Sequence, residues 1–229
     1  MRVFIPKNWE HLRSELSEYG SIVEIRRYGE EIVCNSLQKD FKLVTSIELK
    51  RVVEMISHVF DFAAFLDFNP EYLRDVFGFE IPEVKDLDEV LKAPKYKSVL
   101  SILKDVKDAK IDECGAIGIF VGFVKGISNG KRVKWLEYEV YEEVFYEKLR
   151  ELEERLKSYE NIENAKVYHR VGRVMPKEDI VYIAVVGKSR KDIWKPLIDG
   201  IELVKSILPI WKKEVYFNGE IWVHDKNKI

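Results

Sequence analysis

Apolar residues along this chain repeat with two periods, and the period changes from element to element. The series Leu49, Val52, Val53, Ile56, Val59 and Phe60 steps by three and four, which predicts a helix with one buried stripe and with Lys50, Arg51 and Glu54 toward water. Shorter elements precede it: a strand over residues 2–5, a helix capped by Asn8 and reaching about Tyr19, strands over 22–26 and 31–34 around the turn at Gly29, and residues 43–45 leading through Ser46 into the helix. Residues 62–66 read as a buried strand, and Asn69-Pro70 supplies a cap and a first-turn proline for the next helix. From 80 to 110 the sequence is charged, and two short helices, 86–91 and 98–106, read as a connector rather than as core, with a domain boundary near Ile111.

Past that boundary an apolar run at 116–124, the pair Asn129-Gly130, and alternating positions from 131 to 141 such as Val133 and Trp135 predict a hairpin. Phe145, Leu149, Leu152, Leu156 and Tyr159 mark a four-turn amphipathic helix. Strands at 166–170 and 180–186 follow, separated by Pro176, and a second long helix covers about 192–207, with Pro196 either setting its start or kinking it. Asn218-Gly219 closes a last hairpin between 213–217 and 221–223. The expected class is α/β in an α+β arrangement, with an accessory mixed α/β domain over 1–111 and a second domain over 112–229.

Composition removes several classes of function. The 229 residues are 46% hydrophobic, enough for packed cores, yet no apolar run approaches the roughly 20 residues of a membrane helix, so a soluble, cytoplasmic protein is expected. Basic and acidic side chains number 38 and 40, and a net charge of -2 gives no global attraction to nucleic acid or anionic membrane. Cys34 and Cys114 are far apart and outside any CxxC spacing, which excludes a disulfide framework and a cysteine-built metal site. His11, His58, His169 and His224 show no ligand spacing, and no phosphate loop, dinucleotide turn or GxSxG elbow is present. Neither a metal nor a cofactor is expected.

One lysine interrupts an apolar stripe. On the last long helix Trp194, Ile198, Ile201, Lys205 and Leu208 step by four, three, four and three, so Lys205 falls on a face expected to be buried. Its stem can lie along that face with the ammonium escaping to water, or the amine can be partly desolvated and able to act as acid, base or nucleophile. Pro209 ends the helix and brings Lys212 onto the following strand, while Arg190 lies where a buried strand enters the same helix. Three cations can therefore surround one anionic pocket, or stand as part of an ordinary solvated face.

These residues also carry a resemblance. Residues 112–224 resemble the large, catalytic subunit of molybdopterin synthase through four segments: Gly115-Ala116-Ile117 to Phe120-Val121-Gly122-Phe123-Val124-Lys125; Leu136-Glu137-Tyr138-Glu139; His169-Arg170-Val171-Gly172; and Lys205 to Leu208-Pro209-Ile210-Trp211-Lys212-Lys213-Glu214. The resemblance implies an α/β hammerhead fold, a homodimer of this chain, and a small ubiquitin-like sulfur carrier whose C-terminal Gly-Gly thiocarboxylate enters the pocket. The implied reaction moves two such sulfurs onto cyclic pyranopterin monophosphate to make the dithiolene of molybdopterin. Lys205 and Lys212 match the catalytic lysines; Arg190, Lys125 and Lys213 are assigned to substrate binding, with Phe120 as an aromatic neighbour. Lys125 stands where the family commonly has arginine and Ser189 where it usually has histidine. His169 reads as a strand histidine satisfied by a backbone partner, and Cys114 as a small buried thiol. Residues 60–67 resemble a strand of a nucleotide-binding adaptor sometimes fused to such enzymes, but the phosphate loop is missing. Two other readings stay open: a non-catalytic adaptor that keeps the partner groove, and a phosphate or single-strand binder using Trp194 or Trp211.

Overall fold

The computed structural model describes residues 1–36, 38–108 and 111–223. Two compact units, Met1–Ser101 and Ile102–Ile229, make up the chain. The first runs β1 (Arg2–Pro6), α1 (Trp9–Leu16), β2 (Ile22–Tyr28), β3 (Glu31–Ser36), β4 (Phe41–Thr45), α2 (Leu49–Ile56), β5 (Phe62–Phe65), α3 (Pro70–Phe77), β6 (Glu83–Val84) and α4 (Leu87–Lys92), and α5 (Val99–Lys107) begins in it. Its six-stranded sheet has the order β4-β3-β2-β5-β1-β6, parallel from β2 to β6 and antiparallel from β2 to β4. All of β5 is buried because both sheet faces are covered. Ala63 and Phe65 join Val52, Val53, Leu73 and Phe77 in one core, while Phe62 and Ala64 join Leu12, Leu16 and Val90 in another.

The expected stripe of α2 is buried at Leu49, Val52, Val53 and Ile56; Val59 and Phe60 lie past the helix end but pack on the same core. Asn69 caps α3 by accepting from the N–H groups of Glu71 and Tyr72, and Gly78, at φ 77°, ends it in the left-handed conformation a glycine adopts without penalty. Two expectations fail at this level. Helix α1 stops at Leu16, short of Tyr19, and the Asn8 side chain makes no cap bond. The stretch read as a connector contributes to the core: β6 adds to β1 in parallel, Asp86 caps α4 through the Glu89 N–H, and Val84, Val90 and Ala93 are buried beside Leu12. A two-residue strand and a six-residue helix have too few inward positions to show a period through their charged outer faces.

The second unit continues β7 (Ala116–Phe123), β8 (Ile127–Ser128), β9 (Lys131–Val140), α6 (Glu142–Lys157), β10 (Ile162–His169), β11 (Gly172–Val174), β12 (Asp179–Gly187), α7 (Trp194–Ile207), β13 (Ile210–Tyr216) and β14 (Gly219–Val223). A three-stranded sheet, β10-β12-β7, packs against α6 and α7 through Leu152, Leu156, Val167, Ile183, Val185, Leu197 and Val204. Gly200 lets α7 approach closely, since a Cβ there would stand 3.2 Å from Ile183 Cγ2 and 3.3 Å from Leu156 Cδ1. The second sheet has the order β11-β9-β13-β14 with β8 paired to β9, and it covers a separate core of Val124, Val133, Leu136, Tyr138, Val174, Ile180 and Tyr216. The fold is α/β, as expected. Among the described residues no helix is long and apolar enough to cross a membrane.

The first expected hairpin is corrected. Asn129 and Gly130 do turn, at φ 50° and 74°, but they join β8 to β9, whereas β7 pairs with β12 from Ala116 opposite Gly187 to Phe123 opposite Asp179. The last hairpin turns one residue earlier than read, since Tyr216 pairs with Gly219 across Phe217 and Asn218.

Candidate functional site

Helix α7 buries Pro196, Leu197, Gly200 and Val204, with Leu208 just beyond its end. Most of the stripe read as buried therefore faces outward: Trp194 is 57% exposed and Ile198 60%, while Ile201 is half-buried and Leu208 alone is buried. Lys205 shares that outer face; its ammonium is ion-paired with Glu202 at 3.0 Å and its side chain is 57% exposed, so of the two readings the spacing left open the single chain holds the ammonium in water and not the desolvated amine. The stripe misled because α7 is apolar on two faces, and spacing alone does not say which one meets the sheet.

Leu208 and Pro209 end the helix and β13 starts at Ile210, which sets Lys205 and Lys212 on either side of one short connection. Strand alternation then sorts the β13 side chains. Lys212 pairs with Tyr138 and Glu214 with Leu136, whereas Trp211 and Lys213 pair with Glu139 and Glu137. Lys212, Glu214 and Tyr216 thus point to one face and Lys213 to the other. Lys213 is bonded to Glu137 at 3.1 Å and lies 5.0 Å from the Trp222 ring centroid. It does not join Lys212 in a pocket, contrary to the expected grouping.

Glu214 was not singled out from the sequence. Its side chain is 8% exposed, its carboxylate accepts from the Tyr216 hydroxyl, and Lys212 Nζ stands 3.0 Å from Oε1. Burial raises its carboxyl, but hydrogen bonds from Tyr216, Lys212 and Ser128 outweigh that and hold it below the ordinary carboxylate range. The signal available in the sequence was its two-residue spacing from Lys212, which puts both on one face of a strand. Burial pushes up the neighbouring Tyr138 hydroxyl, with Glu214 adding to the effect, and Tyr138 meets His169 edge to face at 4.9 Å. His169 Nδ1–H donates to the Arg170 carbonyl at 2.8 Å, the backbone partner expected for it, and burial lowers its pKa to about 4.

The remaining candidates are dispersed. Arg190 is exposed in the turn that precedes α7, and the eleven steps from Trp194 to Lys205 put about 16 Å of helix between it and the lysines. Within one chain the three cations do not surround a common point. Lys125 is exposed just after β7, and Phe120 is half-buried against the α6–α7 core rather than lining a pocket beside the lysines. Ser189 bonds Asp192. Cys34 is buried in the first unit, its thiol pushed up to about 12; Cys114 is half-buried and also raised by burial. The first unit holds a cavity of about 500 Å³ lined in part by Arg27, Lys50 and Tyr72. Among the described residues no three His, Cys, Asp or Glu side chains stand together as metal ligands; His224 lies outside the described residues.

A two-sheet α/β unit with a lysine at the end of its last helix and another on the next strand defines a class of protein, and comparison with known proteins identifies it. The family model described as MoaE protein matches residues 96–207, a span that takes in Lys125, Arg190 and Lys205 and ends before Lys212. The molybdopterin synthase catalytic subunit of Bacillus subtilis is 36% identical over 121 residues, 53% of this chain and 77% of that protein. The Homo sapiens molybdopterin synthase catalytic subunit is 31% identical over 183 residues, covering 76% of this chain and 94% of that protein. The crystal structure of molybdopterin synthase from Staphylococcus aureus superposes with a TM-score of 0.50 at 28% identity, over 54% of this chain and 90% of that one. The chain belongs to the MoaE family, the family of molybdopterin synthase catalytic subunits. Membership supports a role in molybdenum cofactor biosynthesis, as an enzyme of that family.

Proposed function

We propose that this chain is the catalytic subunit of a cytoplasmic sulfurtransferase that moves sulfur from the thiocarboxylated C-terminus of a small ubiquitin-like partner onto cyclic pyranopterin monophosphate, forming the molybdopterin dithiolene. The observation that carries the reading is the pair Lys205 and Lys212, on either side of the α7–β13 connection, with Lys212 braced by the buried carboxylate of Glu214. Lys212 holds the tail carboxyl or the developing negative charge; Lys205 carries the proton to the substrate oxygen that leaves as the thiocarboxylate sulfur bonds to the carbon that bore it. Hydrolysis of the resulting acyl–sulfur bond returns the partner as a carboxylate. Sulfur borne by a partner agrees with a Cys34 thiol that is buried and held protonated.

Arg190 and Lys125 take the substrate phosphate. Because about 16 Å of helix separates Arg190 from Lys205, the pocket draws its arginine from the second chain of a homodimer. Residues 112–229 form the catalytic domain in this reading and residues 1–111 an accessory one. The test is turnover of pyranopterin precursor with thiocarboxylated partner, assayed for dithiolene. A folded protein that binds partner and gives no product would favour the adaptor reading, for which the exposure of Lys205 is the supporting observation.

A further inference from the structure

One carboxylate holds together the turn between β12 and α7. Asp192 Oδ2 accepts from the Ser189 backbone N–H at 2.8 Å and from the Ser189 hydroxyl at 2.6 Å, and Oδ1 accepts from Asn161 Nδ2 at 3.2 Å. Asn161, at φ 62°, also accepts the Lys188 N–H on its carbonyl at 3.0 Å. Gly187 makes this approach possible, since a Cβ there would meet that same carbonyl oxygen at 3.0 Å. Two more bonds close the turn: Lys191 N–H to Ser189 Oγ at 3.3 Å and Asp192 N–H to the Ser189 carbonyl at 3.1 Å. The Ser189 hydroxyl foremost, with Asn161 adding to it against partial desolvation, keeps the Asp192 carboxyl below the usual carboxylate range. Arg190 stands in the middle of this turn, exposed, and its guanidinium has no protein partner among the described residues.

We propose that Asp192 is a positioning residue that acts through Arg190, fixing the turn so that the free guanidinium is presented to the phosphate of the substrate. An exposed arginine on a loose loop loses conformational freedom when it captures an anion, and a turn already closed by its own hydrogen bonds has much less to lose. Ser189, in the position where the family resemblance leads one to expect histidine, serves in this chain as the donor to Asp192. The inference rests on the proposed role of Arg190 in phosphate binding, and the experiment separates the two.

KM and kcat for the pyranopterin precursor are measured with the full chain and thiocarboxylated partner for Arg190→Ala, Asp192→Ala, the double variant, and Asp192→Asn. Arg190→Ala should raise KM tenfold or more, and Asp192→Ala about fivefold with kcat within about twofold. Asp192→Asn, which keeps an acceptor for Ser189, should restore most of the loss, and the double variant should be no worse than Arg190→Ala. Should Asp192→Ala fold poorly, Ser189→Ala removes one donor and leaves the carboxylate, with a smaller KM effect that also vanishes in the Arg190→Ala background. An undiminished Asp192→Ala effect in that background overturns the inference, as does an unchanged KM in Asp192→Ala while Arg190→Ala raises it. If Arg190→Ala itself leaves KM unchanged, the phosphate role of Arg190 falls, and the inference falls with it.

Discussion

Acidification should cost the second unit about 3 kcal/mol through one side chain, His169. The ring is 9% exposed, its Nδ1–H is committed to the Arg170 carbonyl, and its edge contact is the Tyr138 ring. Burial lowers its pKa from 6.5 to about 4, against a smaller opposite push from the Arg170 carbonyl. Between those two values the unfolded chain holds the proton and the folded one does not. Stability is therefore complete above 6.5 and is lost as pH falls toward 4, at about 1.4 kcal/mol per pH step. Carboxylates titrate in the same range, so the comparison is between wild type and His169→Gln, whose amide can keep the bond to the Arg170 carbonyl. Urea unfolding followed by tryptophan fluorescence reports chiefly on this unit, because Trp135, Trp194, Trp211 and Trp222 lie in it and only Trp9 lies in the first. From pH 7 to pH 4 the wild type should lose about 3 kcal/mol more than the variant. Superimposable pH profiles would refute a neutral, buried His169.

Lys205→Ala and Lys212→Ala should each lower sulfur transfer roughly 10²-fold, Lys205→Ala without weakening partner binding, and Lys212→Arg should recover activity while Lys205→Arg does not; steady-state turnover and a binding titration check both. Lys213→Ala, on the opposite sheet face, should leave turnover within about twofold. Mixing equal amounts of Lys205→Ala and Arg190→Ala chains and letting dimers exchange should restore about a quarter of wild-type activity, since half the dimers are mixed and each carries one intact site. No recovery would show that both residues serve from one chain. Replacing Cys34 and Cys114 together with alanine should leave sulfur transfer intact and cost about 1 kcal/mol in stability at the buried Cys34; loss of turnover in a folded double variant would point to a cysteine-borne sulfur.

Where a periodic pattern was long enough to be decisive, the fold was legible. The α2 stripe, the β5 run, the Asn69 cap and the Phe145, Leu152, Leu156 face of α6 are all found as read, because each rests on local spacing that burial enforces. What failed depended on partners distant in sequence. No local pattern tells β7 to leave Asn129-Gly130 and lie along β12, and β6 and β11 are too short to carry a period. At the site, residue types were legible and their grouping was not. Lys205 and Lys212 are brought to one connection, but Lys213 is turned away by the pleat, Arg190 is held at the far end of a helix, and Glu214 emerged only when its burial was seen.

The two lysines differ in a way that bears on their roles in the proposed reaction. Lys212 is two-thirds buried against a carboxylate that is itself nearly inaccessible and tied to Tyr216, so the single chain already fixes its position. A cation fixed in that way is placed in advance to stabilise negative charge. Among the described residues Lys205 is paired only with Glu202, and both side chains are more than half exposed, an arrangement of little energetic weight that breaks readily. Its neighbours on the same helix face, Trp194 and Ile198, are apolar and open to water in one chain. Covering such a face shields the Lys205 ammonium from water, so the surroundings in which it acts are completed only when the face is covered. Under the proposed function that covering comes from the second chain and the partner's tail, which makes the chemistry of Lys205 a property of the assembly and that of Lys212 a property of the fold.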